Sequence, residues 1–286
     1  MKVEFLEPTR LNEAIALLAE HGDGAKIIAG GTAVVLMLQQ RLIAPSVLIS
    51  LGRIPDCDYI RREPDGLHLG ALARLRAIER SPVVRDFCPA LARAVGVVGN
   101  VRVRHQATIG GNLAEADYAS DPPAMLLALD ARVRVAGPAG QRQIPVSELF
   151  LGFYTTALAP DEILSEVIIP PLPASVRASY LKYTSRSAED RPCVGVAAVA
   201  DFDESGICRD VRVAVGAAIE TPRRLAEVEA MARGERLTDD VIAAIADEYT
   251  RALDPLSDVR GSAWYRREMI RVFVRRTLTE VRDGNR

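Results

Sequence analysis

None of the four cysteines (Cys57, Cys88, Cys193, Cys208) stands within CxxC spacing of another, so the chain lacks the short loops that wrap zinc or an iron–sulfur cluster. The thiols are expected as isolated residues in a packed interior. His21, His68 and His105 lie equally far apart, and neither a metal site nor a Ser–His–Asp triad is suggested. An excess of one charge is also missing. With 36 basic and 38 acidic residues the net charge is −2, which gives no field that would favour nucleic acid or an anionic membrane. No run reaches the ~18 apolar residues of a membrane span. The opening MKVEFLEPTRLNEA carries charge where a secretory peptide needs an apolar stretch, so a cytoplasmic location is expected. GxGxxG and GxxxxGK[ST] are absent too, which weighs against a Rossmann or P-loop site. Chemistry is therefore expected in a bound organic cofactor, with no catalytic or metal-ligating side chain singled out.

What is present is a chain of 286 residues, enough for two or three units at roughly 100 to 200 residues per domain. Its first part reads as helix, strand, glycine loop, helix and strand. Pro8 and Thr9 open a helix with Ala14, Leu17 and Leu18 on one face, and Gly22 follows its end. Residues 26–29 read as a strand, 33–41 as a helix with Thr32 near its N-cap, and 46–51 as a strand. From about Leu67 to Pro171 a second unit is expected, with strands at 67–70, 132–136 and 162–169 and helices at 75–80 and 83–98. The PPLP at 170–173 is the clearest boundary. Beyond it, 179–184, 194–202 and 210–215 read as strands, the last two joined as a hairpin across 203–206. Helices follow near 225–233, 239–253 and 263–281. The division expected is 1–57, 58–173 and 174–286.

Two glycine loops carry the chemical signal. In Ile27-Ile28-Ala29-Gly30-Gly31-Thr32 paired glycines permit positive φ and let a ligand approach the backbone, while consecutive N–H groups attract an anion such as phosphate. An ordinary Gly-Gly turn after a strand is the structural alternative. The second loop, Ala107-Thr108-Ile109-Gly110-Gly111-Asn112-Leu113-Ala114, reads as a glycine turn that repeats this chemistry, so that two loops would grip one diphosphate. For Thr108 and Asn112 the alternative is capping of local backbone groups, and for Asp121 a helix N-cap.

Here the residues carry a resemblance. AGGT at 29–32, TIGGNLAEADYASD at 108–121, DEILSEVIIP at 161–170, LISLGRIPD at 48–56, LKYTSR at 181–186 and YRREMIRVFVRRTL at 265–278 are similar to the medium, FAD-binding subunits of molybdenum hydroxylases. These include aerobic carbon monoxide dehydrogenase and the FAD segment of xanthine dehydrogenase. The resemblance spans nearly the whole chain. It implies an α+β, p-cresol methylhydroxylase-type fold: two α/β subdomains that sandwich FAD, then a C-terminal antiparallel sheet with a helical cluster.

By that resemblance Ile27, Ile28, Ala29, Gly30, Gly31, Thr32 and Ala33, together with Ala107, Thr108, Gly110, Gly111 and Asn112, hold the FAD pyrophosphate. Ala114, Asp117, Val98, Asp121, Leu164, Lys182 and Tyr183 are further implied contacts. Val98 and Leu164 have a plain alternative as core residues. A strand lysine such as Lys182 is a solvated edge charge unless something anionic meets it; near the isoalloxazine it would stabilise the anionic reduced flavin. Ala33 departs from the family, where an acidic residue often follows GGT. The inserted cysteine-rich loop of benzoyl-coenzyme-A-reducing relatives is absent. The implied role is a relay: a large partner oxidises substrate at a molybdenum cofactor, and two [2Fe–2S] clusters of a small partner pass electrons on. FAD in this chain then delivers them to NAD, a quinone or another acceptor, and a dimer of heterotrimers is implied. A stand-alone FAD-dependent reductase and a cofactor-free assembly or scaffold subunit are the alternatives. The basic face of the last helix (Arg266, Arg267, Arg271, Arg275, Arg276) is either a partner contact or a solvated surface.

Overall fold

The computed structural model describes residues 3–284, and its fold is α+β. The first sheet is parallel, in the order β1-β3-β2, from β1 (Glu4–Leu6), β2 (Ala25–Ile28) and β3 (Val47–Ser50). Between them run α1 (Leu11–His21) and α2 (Val34–Gln39). Ala14, Ile15 and Leu18 of α1 recur at helical spacing and are buried against Val47 and Ile49. Strand β1 has no counterpart in the sequence reading, because three residues with a mostly exposed pattern show no periodicity. Helix α2 is shorter than the expected 33–41. Ala33, not Thr32, is its N-cap and makes no side-chain cap bond.

The second sheet has the order β4-β5-β10-β6-β7 and is antiparallel throughout. It begins with β4 (Ile60–Glu63) and β5 (Gly66–Gly70), followed by α3 (Leu75–Arg80), α4 (Pro82–Phe87) and α5 (Pro89–Gly96). Then come α6 (Val101–Gln106), α7 (Ile109–Glu115), α8 (Pro122–Ala128), β6 (Arg132–Gly137) and β7 (Gly140–Pro145). A short α9 (Val146–Leu149) and a hairpin of β8 (Phe150–Gly152) and β9 (Thr155–Thr156) lead to β10 (Ile163–Ile169), the fully buried central strand. The single helix expected over 83–98 is two. Pro89 lacks an N–H and forces Cys88 into extended backbone (φ −156°, ψ 92°), which ends α4 and restarts α5.

After Pro170-Pro171-Leu172-Pro173 come β11 (Val176–Tyr183), β12 (Val194–Phe202) and β13 (Cys208–Gly216), antiparallel and in sequence order. Next are α10 (Ala226–Glu229), α11 (Asp239–Ala252) and α12 (Ala263–Asp283). Strand alternation places this sheet between two helical layers. Val194, Val196, Ala198 and Ala200 of β12 join the core with α11 and α12, while Ala197 and Val199 join the core of α5 and α8. Each fully buried valine contributes about 1.5–3 kcal/mol, which ties the last sheet to the preceding helices. On α12, Arg266 departs from the expected basic face: it is fully buried and paired with Asp258. All four cysteines are buried and free. Among the described residues no helix is long and apolar enough to cross a membrane.

Candidate cofactor site

The two glycine loops meet. A Cβ on Gly30 would lie 2.0 Å from the carbonyl oxygen of Gln106 and 3.0 Å from Cα of Ala107, and one on Gly111 would lie 3.9 Å from Cβ of Ala29. Only a glycine at position 30 lets the backbone leaving β2 touch the end of α6. Gly31 has φ +73°, in the left-handed region that glycine enters without penalty.

The loops differ in what their amides do. The N–H groups of Gly30, Gly31, Thr32 and Ala33 have no acceptor among the described residues. A run of free amides around a left-handed residue forms a concavity suited to an anion. In the second loop every equivalent group is used. Ile109 N donates to Ala73 O (3.1 Å), Gly110 N to Ala71 O (2.9 Å) and Asn112 N to Thr108 O (3.0 Å). Gly111 N donates to Oγ1 of Thr108 at 3.1 Å. The turn expected at Gly110-Gly111 is the first turn of α7, with Thr108 as its N-cap. Its glycines serve packing, since a Cβ on Gly110 would meet Cβ of Ala71 at 2.5 Å. The second loop therefore does not repeat the first. It supplies a wall, with Ala107 buried and its carbonyl held by Leu75 N. The first loop supplies the donors, and its free amides fit a diphosphate.

A second constellation lies where β11 passes α8. Lys182, with its side chain 6% exposed, sets Nζ 2.7 Å from the carbonyl of Val97 and 3.1 Å from Oδ2 of Asp121. The hydroxyl of Tyr180 donates to Oδ1 of Asp121 at 2.8 Å. Asp121 occupies the N-cap position of α8, yet its carboxylate caps nothing. Burial pushes this carboxyl up to about 6, against the opposing pull of Lys182 and the Tyr180 hydrogen bond. Burial likewise drives the Tyr180 hydroxyl far above its ordinary value, with Asp121 adding to it. An ammonium has three donors, so these two bonds leave Lys182 one more to offer.

Other expected residues are dispersed around this core. Asn112 Oδ1 accepts from the Ser120 hydroxyl at 3.0 Å. Asp117 Oδ1 accepts from Ala119 N (3.1 Å), while its Oδ2 pairs with Arg191 (2.9 Å). Ala114 is exposed on α7, Val98 is half-buried with its carbonyl accepting from Arg104 (3.0 Å), and Leu164 is buried in the main core. Ile27 and Ile28 are half-buried on β2. Tyr183 separates from Lys182, because adjacent strand residues face opposite sides. Its hydroxyl lies 2.5 Å from that of Tyr265 and its ring packs 5.4 Å from Phe273. Tyr180 escaped the sequence reading, although its position two residues before Lys182 puts it on the same strand face. Gln106 escaped as well, because only the folded chain shows what lies against Gly30.

Comparison with known proteins gives matches over nearly the whole chain. Residues 1–172 match the family described as the FAD binding domain in molybdopterin dehydrogenase, and residues 179–281 the CO dehydrogenase flavoprotein C-terminal domain. The 6-hydroxypseudooxynicotine dehydrogenase complex subunit alpha of Paenarthrobacter nicotinovorans is 35% identical, over 97% of this chain and 93% of that one. The carbon monoxide dehydrogenase medium chain of Hydrogenophaga pseudoflava is 31% identical over 97% and 96%. Among solved structures, a Hydrogenophaga pseudoflava carbon monoxide dehydrogenase matches with a TM-score of 0.95 at 32% identity, covering 98% and 97%. Quinoline 2-oxidoreductase from Pseudomonas putida 86 matches with 0.93 at 29%, covering 99% and 98%.

Proposed function

This chain belongs to the family of FAD-binding medium subunits of molybdenum hydroxylases, and on that premise we propose that it relays electrons from an iron–sulfur partner to an external acceptor. The oxidoreductase reaction on substrate belongs, in this reading, to a large molybdenum-cofactor partner. A small partner with two [2Fe–2S] clusters lies between, the assembly is a dimer of heterotrimers in the cytoplasm, and the units of this chain are 1–57, 58–173 and 174–286. The single observation that carries the cofactor assignment is the run of free amides from Gly30 to Ala33, walled by Gln106 and Ala107.

When bound, FAD supplies the redox chemistry, taking electrons singly and releasing them in pairs. The chain's own residues hold it. The Gly30 to Ala33 amides donate to the diphosphate, with no side chain needed at Ala33. Thr108, Gly110, Gly111 and Asn112 shape the facing wall. Lys182, fixed by Val97 and Asp121, places its amino group where a reduced, anionic flavin would meet it. Val98, Ala114, Asp117 and Leu164 are included in this reading as further cofactor contacts.

The test is to purify the chain from its own host and measure FAD, iron and molybdenum in the complex. FAD accompanied by both metals is the expected result. Full turnover with a soluble reductant by the isolated flavin-loaded chain would instead make it a stand-alone reductase. Protein that takes up no FAD would make it a scaffold.

A further inference from the structure

We propose that Tyr180 is a positioning residue for the cofactor: by holding one oxygen of Asp121 it leaves Lys182 a donor for the flavin, an inference that rests on the reading above that sets the flavin beside Lys182. Tyr180 and Lys182 share a face of β11. Each takes a different oxygen of the same buried carboxylate, Tyr180 donating to Oδ1 at 2.8 Å and Lys182 to Oδ2 at 3.1 Å. Asp121 is free to turn toward β11 because Pro123, the second residue of α8, has no N–H for it to cap. The carbonyl of Val97 takes another N–H of Lys182 at 2.7 Å. With Oδ1 vacant, the carboxylate would draw the remaining N–H of Lys182 to itself, since a buried acceptor left unmet is costly.

The sheet is shaped to let the hydroxyl reach this oxygen. Opposite Lys182 on β12 stands Gly195, and opposite Gly195 on β13 stands Gly216. A Cβ on Gly195 would lie 2.5 Å from the Tyr180 hydroxyl oxygen, but 3.3 Å and 3.5 Å from Cζ and Cε2 of its ring. The ring alone would need to give way by only a few tenths of an ångström; the hydroxyl blocks a side chain there. A Cβ on Gly216 would lie 3.2 Å from Cβ of Ala124, in the first turn of α8. Glycine inside a strand weakens it and marks a close approach. This pair admits the start of α8, which carries Asp121, and the hydroxyl that meets it. A phenylalanine would fill the core as Tyr180 does, so the hydroxyl serves Asp121.

The test uses the full chain loaded with FAD. The midpoint potential of the bound flavin, measured against that of free FAD, gives the ratio of reduced to oxidised binding, and thermal unfolding is followed alongside. Tyr180→Phe should lower that ratio about tenfold to hundredfold, the worth of one hydrogen bond to a charged group. Gly195→Ala should do the same, because it displaces the same hydroxyl from the neighbouring strand. Adding Gly195→Ala to Tyr180→Phe should change the ratio no further, since both remove one contact. A wild-type ratio in either single variant, with only the unfolding temperature lowered, would make the hydroxyl merely structural and overturn the proposal, as would effects that add. Lys182→Met separates this from the reading beneath it. A ratio that Lys182→Met leaves unchanged removes the flavin from beside Lys182, and the proposal falls with that reading; a ratio that Lys182→Met lowers and Tyr180→Phe does not sinks the proposal alone.

Discussion

Replacing Gly30 with alanine tests the cradle at its tightest point. The added Cβ would lie 2.0 Å from the Gln106 carbonyl oxygen and 2.7 Å from its carbon. Both are backbone atoms, so no side-chain rotation relieves the clash. Restoring van der Waals contact requires the two loops to part by about 1 Å or more, because interiors are packed to that tolerance. A shift of that size carries the amides of Gly31 and Thr32 off their acceptor. Hydrogen bonds to a charged group are worth about 1.5–3 kcal/mol each, so losing two removes about 3–6 kcal/mol. At 1.4 kcal/mol per tenfold, that weakens FAD binding by about a hundred- to ten-thousandfold. The assay is fluorescence titration of the apo chain with FAD, alongside thermal unfolding without FAD. Gly31→Ala is the comparison. Its Cβ would sit 3.3 Å from Cγ2 of Val35 at φ +73°, so it carries a backbone penalty of about 1–2 kcal/mol without forcing the loops apart. The reasoning is refuted if Gly30→Ala binds FAD as tightly as wild type, or if Gly31→Ala is the more damaging of the two.

Three further outcomes are expected. Lys182→Met leaves Asp121 as an unpaired buried charge and should destabilise the chain by about 3–5 kcal/mol. Since burial already pushes Asp121 up to about 6, protonation favours the folded state, a contribution present at low pH and lost as pH rises through that value. Removing Lys182 takes away the charge that pulls this carboxyl down, so the Lys182→Met deficit should already shrink as pH falls toward 6 in urea unfolding, and a pH-independent deficit would contradict the pairing. His68, whose Nδ1 faces Glu166 (2.8 Å) and whose Nε2 faces Asp65 (3.0 Å), has burial working against its charge, yet these acids raise it above the ordinary value. Its stabilising contribution is present below that ordinary value and lost as pH rises through the raised one. The advantage of wild type over His68→Gln should thus fade toward alkaline pH, and an advantage that grows would count against it. Ala33→Glu restores the acidic residue of many relatives without touching the free amides, and should change FAD affinity less than about tenfold in the same titration.

The sequence revealed the large elements because their patterns extend far enough to be distinctive. The run from Val194 to Ala200 declares a strand buried on both faces, and the amphipathic spacing of α11 and α12 declares helices. Short pieces such as β1 and β8 did not, since two or three residues have no period. The helix break at Cys88 was legible in principle from Pro89. For the site, Gly30 and Gly31 announced a loop that admits a ligand, but the identical dipeptide at 110–111 was misleading. Both loops offer glycine flexibility, and only tertiary packing decides whether it exposes amides or lets a helix press on Ala71. The Tyr180–Asp121–Lys182 group joins β11 to the start of α8, a pairing that no local pattern could specify. The family resemblance put Asp121 and Lys182 on the same list without saying that they touch.

The most direct measurement is to load the purified chain with FAD and mix it under argon with its iron–sulfur partner, reduced beforehand and freed of reductant, while the visible flavin band is followed. The account predicts that the band bleaches as the clusters reoxidise. A flavin band that stays unbleached in the presence of the reduced iron–sulfur protein would contradict it.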